Sequence, residues 1–95
     1  MEEYEKKILN TLIGMLGSEG KIKVLWTLYK NQNTPLTTYM IQKYTGLKRT
    51  GLNRIIKNFS EAGLILKEEY GVKRYKLNMQ DDRIKILIEF FKKFH

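Results

Sequence analysis

Apolar residues recur along this chain with two periods, and the change from one to the other divides it. Over residues 3–16, Tyr4, Ile8, Leu12 and Met15 share one face of a helix, widened by Leu9, Ile13 and Leu16. Gly17-Ser18 interrupts the pattern, and Ser18 is placed to cap a second helix over about 19–31. There Ile22, Leu25, Trp26 and Tyr29 recur at i, i+3, i+4 and i+7. Asn31-Gln32-Asn33-Thr34-Pro35 reads as a turn closed by the only proline. Thr37 or Thr38 can cap a short third helix ending at Thr45, with Gly46 as its left-handed stop. A fourth helix over about 48–62 buries Leu52, Ile55, Ile56 and Phe59, and Gly63 ends it.

Beyond Gly63 the period falls to two. Leu64 to Glu69, a Tyr70-Gly71 turn and Val72 to Leu77 form a predicted β-hairpin, with Tyr75 and Leu77 on one face. Asp81-Asp82 then open a last helix to about Phe94, acids at its positive end and Lys92 and Lys93 at its negative end. No repeat, low-complexity tract or linker interrupts residues 1–95, which are expected to form one domain. The expected fold class is mainly α with a small β-hairpin (α+β), in the order α-α-α-α-β-β-α.

Composition narrows the function. With 42% apolar and 29% charged residues the chain suits a soluble globular protein. It has no run of about 20 apolar residues to cross a bilayer. The opening Met1-Glu2-Glu3-Tyr4-Glu5 is acidic where a secretory signal is basic, so a cytoplasmic, nucleoid-associated location is expected. Cysteine is absent and the single histidine is His95, which leaves no thiol chemistry and almost nothing to hold a metal. Neither metal nor cofactor is expected. No nucleophile, base and orienting group can be assembled, so an enzyme is the least supported class.

The formal charge of +8 is unevenly placed. Residues 1–19 carry −2 and residues 58–95 carry +2, while residues 20–57 carry +8 without one carboxylate. Such a stretch projects a positive field, and double-stranded DNA is the expected partner.

The run Thr37-Thr38-Tyr39-Met40-Ile41-Gln42-Lys43-Tyr44-Thr45-Gly46-Leu47-Lys48-Arg49-Thr50-Gly51-Leu52-Asn53-Arg54-Ile55-Ile56-Lys57-Asn58-Phe59-Ser60-Glu61-Ala62-Gly63-Leu64-Ile65 resembles the core of ArsR- and MarR-type winged helix-turn-helix transcription regulators. The resemblance covers about residues 20–78, with the helix-turn-helix at about 37–62 and the wing at about 64–78. Gly46-Leu47 followed seventeen residues later by Gly63-Leu64 is its most specific part. Three positions depart from the pattern. Gln42 stands where the family has a small residue at the crossing of the two helices, which implies a shifted crossing or a side chain turned outward. Lys48 stands where serine or threonine often caps the recognition helix, making Thr50 the alternative cap. Gly51 near the start of that helix costs about 1 kcal/mol relative to alanine if interior, a cost that close approach to a phosphate would offset. The cysteine pairs and histidine–carboxylate clusters of the family's metal sensors have no counterpart here.

A major groove about 12 Å wide admits one helix, whose first residues reach the base edges. With Leu52, Ile55, Ile56 and Phe59 inward, Arg49, Thr50, Asn53 and Arg54 are expected to face bases. Lys48 and Lys57, with Lys43 and the Thr37 and Thr38 hydroxyls, are expected to hold phosphates. On the wing, Lys73 and Arg74 are candidates, opposed by Glu68 and Glu69. Tyr70 at the turn either sits beside a sugar or covers the hairpin. Trp26, Tyr29, Tyr39 and Tyr44 follow helical spacing and read as core or partly buried. The adjacent pairs Glu68-Glu69 and Asp81-Asp82 read as surface or helix-dipole charges rather than an ion site.

The last helix spreads its apolar residues over an arc of about 200°, where docking on one core needs about 100°. The first is similarly broad. A homodimer is therefore expected through helix 3–16 and the last helix (about 80–94), with Ile8, Leu12, Leu87, Phe90, Phe91 and Phe94 in the interface, as the resemblance also implies. The expected function is a sequence-specific, dimeric regulator of transcription. The alternatives are a non-specific architectural DNA-binding protein and a winged-helix module that binds other proteins. Nothing in the sequence names a small-molecule effector.

Overall fold

The computed structural model describes residues 16–93 together with Glu3, Lys6, Lys7, Asn10 and Gly14. Those five and Leu16 are helical, as predicted for residues 3–16. Tyr4, Ile8, Leu9, Leu12, Ile13, Met15 and Phe94 lie outside the described residues. The elements are α1 (Glu19–Lys30), β1 (Leu36–Thr37), α2 (Thr38–Thr45), α3 (Arg49–Glu61), β2 (Ile65–Tyr70), β3 (Val72–Leu77) and α4 (Asp82–Lys92).

Ser18 caps α1, its Oγ accepting from the Lys21 N–H at 3.2 Å. The helix packs against α2, α3 and β3, and Phe91 of α4 meets Trp26 edge-on at 5.1 Å between ring centroids. Neighbours on several sides turn its inner face. Val24, Leu25, Leu28 and Tyr29 are buried, Trp26 is half-buried, and Ile22, expected inside, is 40% exposed. At the start of α1, Gly20 lies so close to the second helical pair that an added Cβ would meet Ile55 Cδ1 at 3.1 Å.

Leu36 and Thr37 correct the sequence reading, which placed no strand before α2. They pair antiparallel with β3, Leu36 opposite Tyr75 and Thr37 opposite Arg74, so the predicted hairpin is part of a three-stranded sheet in the order β1-β3-β2. Two residues are too few to show an alternation, and the partner strand lies far along the chain. Thr37 also caps α2, its Oγ1 accepting from the Met40 N–H at 3.2 Å. Gly46 at φ 73° closes the helix, donating its N–H to the Gln42 carbonyl at 2.8 Å. A side chain there would pay the left-handed penalty of about 1–2 kcal/mol.

The α3 helix is anchored by Leu52, Ile56 and Phe59, all buried, with Ile55 half-buried. Its N-cap is Lys48, which supplies extended backbone but no side-chain bond. Thr50 lies inside the first turn and is not the cap. At the other end the Leu64 N–H reaches the Phe59 carbonyl at 2.9 Å and the Gly63 N–H reaches Ser60 at 3.1 Å, the paired closure that a left-handed glycine allows. This end is also stitched to the start of α4. Arg83 Nη2 donates to the Ala62 carbonyl at 2.7 Å, and Asn78 Nδ2 to the Gly63 carbonyl at 2.9 Å. Asp81 caps α4, accepting from the Arg83 and Ile84 N–H groups while also pairing with the Arg83 guanidinium. These bonds hold its carboxyl below the usual range, the Arg83 side-chain hydrogen bond contributing most.

The core joins all of these elements through Leu25, Leu28, Leu36, Ile41, Leu52, Ile65, Leu77, Ile84 and Leu87. Among the described residues no helix is long and apolar enough to cross a membrane.

Candidate nucleic-acid interface

Anchoring α3 through Leu52, Ile56 and Phe59 fixes what its other side offers. Arg49, Thr50, Asn53, Arg54 and Lys57 are all exposed, a continuous polar face on a helix about 20 Å long. Lys48 and Lys43 are exposed beside its start, and Thr37 and Thr38 are half-buried. The Thr37 cap occupies an acceptor position of its oxygen and leaves the O–H free to donate. Among the described residues no carboxylate forms an ion pair with Lys43, Lys48, Arg49, Arg54 or Lys57. Because Lys48 lends no side-chain cap, the first N–H groups of α3 add the helix's positive end to the same surface.

Arg49 has one partner on this face. Its Nε donates to Gln42 Oε1 at 3.3 Å, so Gln42 does turn outward, as one of the two alternatives required. Two further groups were missed by sequence reasoning. Tyr39 and Tyr44, expected core or partly buried, are 65% and 55% exposed, because Ile41 takes the inward position of α2. Tyr39 and Lys43 then share an outward face one turn apart, a spacing that the sequence does display. Lys67 is the second: with Thr38, Asn53, Lys57 and Tyr75 it lines a groove of about 440 Å³ between α3 and the sheet, to which Glu61 brings one carboxylate.

The hairpin divides its charges between two faces. Cross-strand pairs Lys67–Tyr75 and Glu69–Lys73 lie on the side of the buried Tyr75, whereas Glu68–Arg74 and Tyr70–Val72 lie on the other. Lys73 and Arg74, adjacent in sequence, therefore point opposite ways and cannot serve one contact. Glu69 is held by Lys67 at 2.9 Å and Glu68 by Lys76 at 3.6 Å. Hydrogen bonding and charge within the first pair lower the Glu69 carboxyl and raise the Lys67 ammonium. Tyr70 at the tip is 83% exposed, so it does not cover the hairpin.

On α4, Leu87 and Phe91 are buried in the chain's own core, which corrects their expected place in an interface. The arc counted from sequence was split by packing: Ile84, Leu87, Ile88 and Phe91 go inward, and Ile86 and Phe90 remain about half exposed.

No protein-family model and no curated protein sequence matches the chain. Solved structures do. The chain superposes on HlyU from Vibrio cholerae with a TM-score of 0.76 at 17% identity, covering 99% of this chain and 98% of that one. It also superposes on the homodimeric winged helix-turn-helix DNA-binding domain of Mb0332 from Mycobacterium bovis, a possible ArsR-family transcriptional regulator. There the TM-score is 0.63 at 13% identity, over 100% of this chain and 94% of that one. The fold is a winged helix-turn-helix. Within it α2 and α3 are the two helices joined at the Gly46 turn, and β2–β3 are the hairpin that follows them.

Proposed function

We propose that this protein is a homodimeric, sequence-specific DNA-binding regulator of transcription, acting in the cytoplasm by occlusion or recruitment at a promoter and performing no chemistry. The observation that carries the reading is the outer face of α3, where Arg49, Thr50, Asn53 and Arg54 are exposed beside cations that form no ion pair with a carboxylate among the described residues. Laid in a major groove, Arg49 and Arg54 pair with guanine edges, Asn53 pairs with adenine, and Thr50 makes a single contact. Lys43, Lys48, Lys57 and the Thr37, Thr38 and Tyr39 hydroxyls set register on phosphates, joined by Lys67 across the groove. On the wing, Lys73 takes the side of the recognition helix and Arg74 the outer side.

Dimerisation is supported by Ile86 and Phe90, exposed one turn apart on α4, and by the homodimeric state of the Mb0332 domain. Two recognition helices then meet half-sites about 34 Å apart. Selection of bound sequences from a random DNA pool, with affinity followed across salt, tests the reading. A near-palindromic motif is the expected result; tight binding without enrichment assigns the architectural role instead. Changing Lys57 to alanine weakens all sequences alike and makes the salt slope shallower by about 0.9. Sedimentation in physiological salt is expected to show twice the monomer mass, and a clean monomer removes the dimer.

A further inference from the structure

We propose that Gln42 is a positioning residue for base readout, fixing which edge of the Arg49 guanidinium faces the DNA; the inference rests on the DNA reading above and deepens it. The start of α3 has little to hold it locally. Lys48 gives no side-chain cap, and Gly51 lies in the first turn with nothing within 4 Å of an added Cβ. Gln42, by contrast, sits in the last turn of α2, where its carbonyl receives the Gly46 N–H at 2.8 Å. From that fixed point its Oε1 accepts from Arg49 Nε at 3.3 Å, across the turn between the two helices.

The chemistry follows from which donor is taken. A guanidinium has five N–H groups and can grip a guanine through Nε and one Nη, or end-on through both Nη atoms. With Nε committed to Gln42, only the end-on fork is offered to the O6 and N7 acceptors. The tether also orders a long side chain before binding, so less rotamer freedom is lost on reaching the base. A small residue at position 42 would permit a closer helix crossing and leave Arg49 untethered. Gln42 thus exchanges a packing role for a specificity role.

The exposed, neutral-acceptor bond contributes little to folding, so its effect is read on specificity rather than stability. Gln42→Met keeps length and helix propensity but removes the acceptor, and Gln42→Glu keeps an acceptor. In binding to the selected site and its single-base variants, Gln42→Met is expected to lose about 3–10-fold of discrimination at the one base pair that Arg49→Ala also relaxes. Its melting temperature and non-specific affinity stay at the parent's values. Gln42→Glu should restore the preference at that pair while weakening all sequences through its added charge. In an Arg49→Ala background, Gln42→Met should change nothing further.

A second readout needs no DNA. Nitrogen-15 relaxation of the Arg49 Nε–Hε group in the free protein should report an ordered side chain in the parent and a looser one in Gln42→Met. Equal relaxation in the two proteins overturns the tether whatever the DNA results. A parent without any sequence preference overturns the DNA reading and this inference with it. A preference that Arg49→Ala relaxes and Gln42→Met leaves intact overturns only the role of Gln42.

Discussion

On α2, the turn and α3, the cations Lys43, Lys48, Arg49, Arg54 and Lys57 form no ion pair among the described residues. From β2 to α4, every carboxylate between Glu68 and Glu89 has a base within 4 Å. One region keeps its charge at home and the other presents it. Net charge alone does not show this, since the wing carries Lys67, Lys73, Arg74 and Lys76 and would count as basic. What separates the two is whether acids stand among the bases: Glu69 pairs with Lys67 and Glu68 with Lys76, and the same two acids face Lys73 and Arg74 in the register. A potential usable by a polyanion comes from the first arrangement, and the second chiefly fixes side chains against one another.

Five substitutions at four positions break or sharpen that contrast. Arg54→Ala, on the unpaired side, should forfeit about 1–3 kcal/mol of discrimination at one base position. Competition with single-base variants measures it, and an unchanged preference would place the contact elsewhere. Asp81→Ala, on the paired side, should instead destabilise the fold by about 1–2 kcal/mol, the usual cost of a lost N-cap. Thermal unfolding reads it. Because the folded carboxyl titrates below its ordinary value near 3.8, its contribution is complete above that value and is lost as pH falls through the folded pKa. Asp81→Asn should flatten that acid limb.

Gly51→Ala tests the open side in the other direction. The added Cβ meets nothing within 4 Å, so stability should rise by up to about 1 kcal/mol while binding weakens where the backbone meets a phosphate. Calorimetry paired with DNA titration separates the two effects. The smallest change is expected from Glu69→Gln, which releases Lys67 into the groove beside Lys57. Melting should stay put, and low-salt affinity for every sequence should rise about twofold.

The helices, the glycine stops and the two-faced character of α3 were legible because each is written in local spacing. Leu52, Ile56 and Phe59 at i, i+4 and i+7 fix the exposed side without knowledge of any neighbour. What escaped depends on distant partners. Leu36-Thr37 is a strand only because β3 lies beside it, and Ile22 is exposed because the elements around α1 lie on its other sides. Leu87 and Phe91 looked available because the count of apolar positions on a helix says nothing of how many the core will claim. Tyr39 and Tyr44 were misplaced for the converse reason, since aromatic type suggested burial that Ile41 had already filled. Gln42 was visible as a departure, but only the fold reveals that Arg49 is its partner.

The carbonyls at the end of α3 are gripped by Arg83 and Asn78, residues at the foot of the last helix. That joint ties the end of α3 to the foot of α4, the helix that carries Ile86 and Phe90. In the proposed two-fold assembly, a displacement of α4 would be handed on through these two bonds to the far end of α3.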